Sequence, residues 1–432
     1  MIRTIEAGNP ELLRLIKRDF TAPEEIVIQV DEIVSAVRER GDEALCTFTE
    51  RFDRTPVQPA DLRVSEEEIK AAYRMVGDEF LAAIRLAKDR IYDFHRKQLP
   101  PSWLDAEDGG YLGQVIRPVE RVGVYVPGGT ATYPSSVLMN GVPAAVARVK
   151  EIVMVTPPSA GGRISPYTLV AAAEAGITEI YRVGGAQAIA ALAYGTETIR
   201  KVDKITGPGN IYVTLAKQQV FGQVDIDMLA GPSEVLIIAD GEANPVYVAA
   251  DILSQAEHDI RAQAVLLTPS WELAGLVRDE VKRQLATLGR RELLDQALKD
   301  GAMIVITRDL DEAVGLANRY APEHLELMVR DPFEWLGRIK NAGTVFLGPY
   351  APVSLGDYVS GPNHVLPTGG TARFFSALGV DAFIKRINVV SCYRHGIARI
   401  GPAAVHLAEV EGLSAHARAI QLRLEEGIND EE

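Results

Sequence analysis

Apolar residues in the first hundred positions recur at helical spacing. The sequence S-E-E-E at 65–68 forms a capping box ahead of one long pattern, Ile69, Tyr73, Val76, Phe80, Ile84, Ala87, Ile91 and Phe94, which predicts a helix. From residue 122 the pattern changes to short β-branched runs separated by helical stretches. Strands are predicted at 122–126, 151–155, 179–183, 235–239, 263–268, 302–307, 325–329 and 344–347. Such alternation implies an α/β fold with parallel sheets and crossover helices. It also directs attention to the loops at strand C-termini, where open sheets of this kind bind ligands. After about residue 377 the alternation stops. An apolar run at 387–391 is followed by helices predicted to break at Gly401-Pro402 and at Gly412. No repeat of 20–50 residues stands out.

Composition narrows the function classes. The 432 residues are 47% apolar and 24% charged, an ordinary globular balance for a chain of two or three domains. With 45 Lys+Arg against 59 Asp+Glu the net charge is −14, and no basic patch is concentrated enough for a nucleic-acid backbone. Nucleic acid is therefore not an expected partner. Residues 122–147 carry no charge, yet their prolines and glycines preclude a single membrane-spanning helix. A strand, a glycine turn and a helix are expected there instead. The start of the chain mixes charged with apolar residues, so no signal peptide is expected and the protein is read as soluble and cytoplasmic. The two cysteines, Cys46 and Cys392, lack a CxxC partner and are read as reduced structural thiols.

Four segments could carry chemistry. Asn244-Pro245 opens a helix on which Gln255 and His258, three apart, share a face with Asp251 a turn behind. They make a plausible half of a metal site, although a satisfied helix-face histidine is the bland alternative. Glu323-His324, after Pro322, sits in a predicted tight helix-to-strand turn and offers two adjacent proton acceptors. The stretch 354–370 reads as a long ordered loop carrying Asp357 and His364. Glu411 and His416 flank a break between C-terminal helices. His95, at a basic helix end, reads as structural or solvated. Three glycine-rich turns, at Tyr125–Gly129, Gly184–Gln187 and Gly207–Asn210, could present backbone N–H groups to a cofactor, though none fits G-x-G-x-x-G.

In this order, these segments resemble the histidinol dehydrogenase family over nearly the whole chain. The resemblance rests on VGVYVPGG (122–129), GGAQAIAALA (184–193), KITGPGN (204–210), AGPSEVLIIAD (230–240) and DILSQAEHD (251–259). It continues in YAPEHLEL (320–327), SLGDYVSGPNHVLPTGGTAR (354–373) and AEVEGLSAHARAI (408–420). It implies two incomplete Rossmann-like domains with parallel sheets, akin to aldehyde dehydrogenases, plus a helical N-terminal segment and a small C-terminal dimerisation domain. The corresponding boundaries are 1–120 with 234–376 for the zinc and substrate half, 121–233 for the NAD half, and 377–432 for the C-terminal domain. The resemblance further implies zinc held by Gln255, His258, Asp357 and His416. His416 and Glu411 would reach the neighbouring subunit's site in a homodimer. Cofactor contacts would fall to Tyr125, Gln187 and Asn210. Substrate contacts would fall to Ser233, Gln255, His258, His324, Asp357, His364, Glu411 and His416.

The implied reaction is oxidation of L-histidinol to L-histidine with two NAD+. His324 suits the base that accepts the hydroxyl proton, and Glu323 the group that activates water for the second oxidation. Four protein ligands suit zinc to a substrate-holding role. Competing readings are a paralogue acting on another small alcohol, such as a sulfonated diol, a zinc hydrolase, and a non-catalytic metal-binding protein. Neither of the last two accounts for the glycine turns together with Glu323-His324.

Overall fold

The computed structural model describes the whole chain except residues 1, 17–21, 108, 129–131, 160, 178 and 426–432. Most of the acidic stretch 425–432 and Gly129 of the first glycine-rich turn therefore lie outside the described residues. Fourteen strands are present among the described residues: β1 (Arg3–Glu6), β2 (Trp103–Glu107), β3 (Gly110–Pro118), β4 (Arg121–Tyr125), β5 (Glu151–Thr156), β6 (Glu179–Arg182), β7 (Lys204–Thr206), β8 (Asp225–Ile226), β9 (Glu234–Ala239), β10 (Gln263–Thr268), β11 (Ala302–Ile306), β12 (His324–Met328), β13 (Thr344–Leu347) and β14 (Ile384–Cys392).

All eight predicted strands are found, in two parallel sheets. One has five strands in the order β6-β5-β4-β7-β8, the other six in the order β1-β11-β10-β9-β12-β13. The apolar runs are continuous because both faces of the six-stranded sheet are covered. Val235, Ile237 and Ala239 enter one core, while Leu236 and Ile238 enter the other. Each fully buried Leu, Ile or Val contributes roughly 1.5–3 kcal/mol through loss of water contact. The helices Glu24–Arg40 and Asp42–Asp53 bury Val30, Val37, Leu45 and Phe48 in the core of the five-stranded sheet. The resemblance implied that residues 1–120 go with the six-stranded half; these two helices pack on the five-stranded sheet, while β1 and Leu12 join the six-stranded one.

The chain divides into two compact units, Met1–Gln98 with Val119–Phe383, and Leu99–Pro118 with Ile384–Glu432. Both parallel sheets belong to the first. The second contains the antiparallel sheet β14-β3-β2 and the helices Arg394–Val410 and Ser414–Glu425.

Several local expectations change. The capping box is present, but the long pattern divides into helices Glu66–Tyr73 and Asp78–His95, with Gly77 at the second N-cap. The first hundred residues also include β1, too short to register as a periodic pattern. The helix Arg394–Val410 runs through Gly401-Pro402 rather than breaking there. Gly401 is the point of close approach to the last helix, since a Cβ there would lie 3.2 Å from Ile420. The residues 354–370 are not all loop, because Val353–Tyr358 is helical. His324 is the first residue of β12 rather than part of the turn, and the turn itself ends at Glu323. His95 is buried with Nδ1 2.7 Å from the Ile91 carbonyl, a structural role. Burial pushes the Cys46 thiol up to about 11, which suits an inert residue, whereas Cys392 is exposed at the end of β14. No helix among the described residues is long and apolar enough to cross a membrane.

Candidate active site

The helix Leu310–Tyr320 ends at Ala321, which adopts a left-handed conformation (φ 52°). This geometry is costly for a residue with a Cβ and tends to mark functional turns. Pro322 then precludes further helix, and β12 begins between β9 and β13, with His324 opposite Val235 and Thr344. That register brings Glu323 and His324 against the first residue of β9, Glu234. The backbone N–H of Glu234 donates to Glu323 Oε2 (2.8 Å), and the N–H of Glu323 donates to Glu234 Oε1 (3.3 Å). His324 Nδ1 lies 3.0 Å from the Glu234 carbonyl. A carbonyl can only accept, so the proton sits on Nδ1 and Nε2 keeps its lone pair. Nε2 is buried without a partner.

Around this pair stand the other histidines. His364 Nδ1 donates to the Asp357 carbonyl (2.9 Å) and Nε2 faces Ser136 Oγ (3.3 Å). Neighbouring Asn363 donates to the Met139 carbonyl (2.6 Å). The helix Pro134–Val146, which follows β4, thereby holds the loop that carries His364. A cavity of about 260 Å³ is lined by His324, Asp357, His364, Phe346 and Asn363. Burial lowers the pKa of His324 to about 3, aided by His258 and His364, and lowers His364 to about 4. Burial raises Glu323 well above the usual carboxylate range, with the Asp357 charge adding to the effect, and raises Asp357 to about 7.

Gln255 and His258 sit at the C-terminal end of the helix Pro245–Ala256, which packs against Val353–Tyr358 bearing Asp357. No three His, Cys, Asp or Glu side chains converge at ligand distance among the described residues. The donor chemistry nonetheless fits a divalent cation. The Gln255 amide is buried with one terminal atom unpartnered, which the equivalent placement of the amide makes its oxygen, and Asp357 has only desolvation acting on it, with no positive group to offset it. His258 is exposed just past the helix end, and desolvation lowers its pKa, which keeps a nitrogen lone pair available. A helix C-terminus adds negative partial charge at the same place. Ser233 is half-buried immediately before β9. Glu411 ends the helix Arg394–Val410 and His416 lies in Ser414–Glu425, both in the second compact unit.

The three cofactor candidates line one cavity of about 610 Å³ outside the C-terminal ends of β4 and β5. The Tyr125 hydroxyl accepts from the Gly185 N–H (3.2 Å), and both polar atoms of Gln187 are buried without partners. Asn210 caps Ile211–Val220, its Oδ1 accepting from Tyr212 and Val213, which leaves only its NH2 for a ligand. The turn at Gly207 has φ 112°, and a Cβ there would lie 2.0 Å from the Tyr125 carbonyl oxygen. A buried ion pair grips that turn, with Lys217 donating to the Gly207 carbonyl (3.0 Å) and to Asp227, which accepts from the Gly207 N–H (2.8 Å). Asp53 and Phe52 of the N-terminal helices line the same cavity. Sequence reasoning missed these two, Ser136 and Glu234, because their places depend on long-range packing. For Glu234 the only available signal was its presence in AGPSEVLIIAD.

The histidinol dehydrogenase family model matches residues 16–424. The chain belongs to the histidinol dehydrogenase family. It is 55% identical to the histidinol dehydrogenase of Heliobacterium mobile, over 98% of this chain and 100% of that one. It is 56% identical to that of Moorella thermoacetica, over 94% and 96%. The crystal structure of histidinol dehydrogenase from Elizabethkingia anophelis superposes with a TM-score of 0.94 at 41% identity, covering 98% of each chain. Family membership makes the chain an enzyme, an NAD-dependent oxidoreductase with the expected α/β fold.

Two outcomes follow from this geometry. The pKa of His324 is depressed when folded, so its stability contribution is full above the unfolded value near 6.5 and is lost as pH falls towards about 3. His324→Asn should therefore reduce the loss of urea stability between pH 6.5 and pH 5 by about 1.5 kcal/mol in metal-free protein. An unchanged pH slope would show that His324 is not buried in its neutral form. Gly207→Ala should weaken NADH binding about tenfold by fluorescence titration, because the turn must open against Tyr125. An unaltered Kd would detach that turn from the cofactor.

Proposed function

We propose that the chain oxidises L-histidinol through the aldehyde to L-histidine with two NAD+. In this reading Glu323 and His324 move the protons. Gln255, His258 and Asp357, with His416 from a second copy, hold zinc. The observation that carries it is the fixed state of His324, neutral, with its proton committed to Glu234 and Nε2 open.

Alcohol oxidation releases a hydride from carbon and a proton from oxygen. Tyr125, Gln187 and Asn210 would hold NAD+, which would supply the hydride acceptor. His324 Nε2 takes the hydroxyl proton. The aldehyde then needs water to form a hydrate that can lose a second hydride. Glu323, whose burial makes it a stronger base than an ordinary glutamate, accepts the proton of that water. As the hydrate forms, His324 returns its first proton to the aldehyde oxygen and, neutral again, accepts the proton of the hydrate hydroxyl in the second oxidation. Gln255, His258 and Asp357, with His416 from the second copy, would hold zinc, which would supply positive charge for a nitrogenous substrate. Ser233 and His364 bound the substrate side, and Glu411 from the second copy pairs with a substrate nitrogen. The five-stranded half serves the cofactor and the six-stranded half the substrate.

Dimerisation is supported by the second compact unit, where Val390 (76%), Val410 (73%) and Leu407 (62%) are exposed together with Ile400 and Leu104. So much exposed aliphatic surface on a small unit suits burial against another copy. Its site residues Glu411 and His416 are carried on the same helices.

Zinc-reloaded protein should yield two NADH per histidinol consumed, with little free aldehyde. One NADH per substrate would sink the four-electron reading. Glu323→Gln should slow aldehyde oxidation at least tenfold more than alcohol oxidation. Equal slowing would remove its separate role. Inactive His416→Ala and His258→Ala proteins, mixed and allowed to exchange subunits, should regain part of the activity. No regain in demonstrably mixed dimers would refute a shared site.

A further inference from the structure

We propose that Glu234 is a positioning residue for this reaction, fixing Glu323 and His324 through hydrogen-bond geometry rather than through its charge. The inference rests on the roles proposed above for those two residues. Glu234 is 2% exposed at the start of β9, the central strand on which β12 is registered. Its backbone already serves both partners, the N–H holding Glu323 Oε2 and the carbonyl holding His324 Nδ1. Its side chain adds a second set of contacts. Oε1 accepts from the N–H of Glu323 (3.3 Å) and from the N–H of Gly369 (3.1 Å). It thereby ties the 321–323 turn to the end of the loop that carries His364.

The other carboxylate oxygen reveals what kind of group is required. Glu234 Oε2 lies 3.2 Å from the Tyr320 hydroxyl, which lies 2.7 Å from Gln263 Oε1. One hydroxyl proton cannot serve two acceptors. With Glu234 ionised, Tyr320 donates to it, and Gln263 must turn its NH2 towards the tyrosine oxygen, an equivalent placement of the amide. With glutamine at 234 the chain runs in reverse. Its Oε1 keeps both backbone N–H groups, its NH2 donates to Tyr320, and Tyr320 donates to Gln263 Oε1. The contacts named here stay paired in either direction. Aspartate retains the charge but is one methylene short, and cannot span Glu323, Gly369 and Tyr320 together.

Glutamine should therefore substitute for Glu234 and aspartate should not. Glu234→Gln is expected within about fivefold of the parent kcat. Glu234→Asp and Glu234→Ala are expected to lose about a hundredfold in kcat, with KM for histidinol and Kd for NADH changed less than threefold. Thermal unfolding is followed in parallel. Should the alanine protein fail to fold, the glutamine and aspartate pair decides alone. Retained activity in Glu234→Asp with loss in Glu234→Gln would overturn the inference in favour of a charge effect. Equal activity in all the folded variants would overturn it outright. So would parallel loss of kcat, KM and NADH binding, which marks a scaffold defect. Parent protein that binds NADH but does not turn over histidinol would instead refute the proposed function, an outcome read before any variant is made.

Discussion

The site depends on one register, that of β12 against β9, which places the Glu323-His324 peptide beside the first residue of the neighbouring strand. Three hydrogen bonds between Glu234 and that pair follow from it, two through the Glu234 backbone and one from the Glu323 backbone to the Glu234 side chain. A slip of one residue in a parallel pair would exchange the faces of the strand. It would drive Leu325 and Leu327 out of one core and turn His324 away from its carbonyl partner. The hydrophobic alternation that holds the sheet together therefore also selects the imidazole tautomer. Packing and chemistry are specified by the same residues.

The arrangement works against stability where it serves chemistry. Burial raises Glu323 and Asp357 and depresses His324 and His364, so each group is held away from its preferred charge state. A second acid pair, Asp251 and Glu326, lies behind them, both raised by burial. Glu326 also accepts from the N–H of Val353 at the start of the helix that bears Asp357. Such clustering of unsatisfied and shifted groups is expected at functional sites and is offset by the large cores on either face of the sheet.

Much of this was legible in the chain. Unbroken β-branched runs identified the eight buried parallel strands because strands covered on both faces have no polar side to hide. The short strands Lys204–Thr206 and Asp225–Ile226 were not legible, since two or three residues carry no period. The antiparallel strand Gly110–Pro118 has a mixed burial pattern and gives no clean alternation. Among site residues, Gln255, His258, Glu323, His324, Asp357 and His364 stood out as polar groups at turns or helix ends. Glu234 did not, since a single acid at the head of an apolar strand looks like a solvated terminus. Only tertiary pairing makes it the acceptor for three separate donors.

The two sheets use opposite edges. In the five-stranded sheet the chain leaves β4 in both directions, and the cavity lined by Tyr125, Gln187 and Asn210 lies outside the C-terminal ends, where the rule for open parallel sheets places a ligand. In the six-stranded sheet the switch falls between β9 and β12, yet Glu234, Gln263 and His324 all stand at strand N-termini. The expectation that loops at strand C-termini hold the chemistry thus applies to one half only. Strand N-termini are approached by helix C-termini, and those carry negative partial charge. An edge of that kind favours positive charge and disfavours phosphate. On the function proposed above, a pyrophosphate-bearing cofactor would suit the C-terminal edge of one sheet, and a cation with a nitrogenous substrate the N-terminal edge of the other. The helix Pro245–Ala256, ending at Gln255 and His258, stands on the edge where a cation is electrostatically preferred.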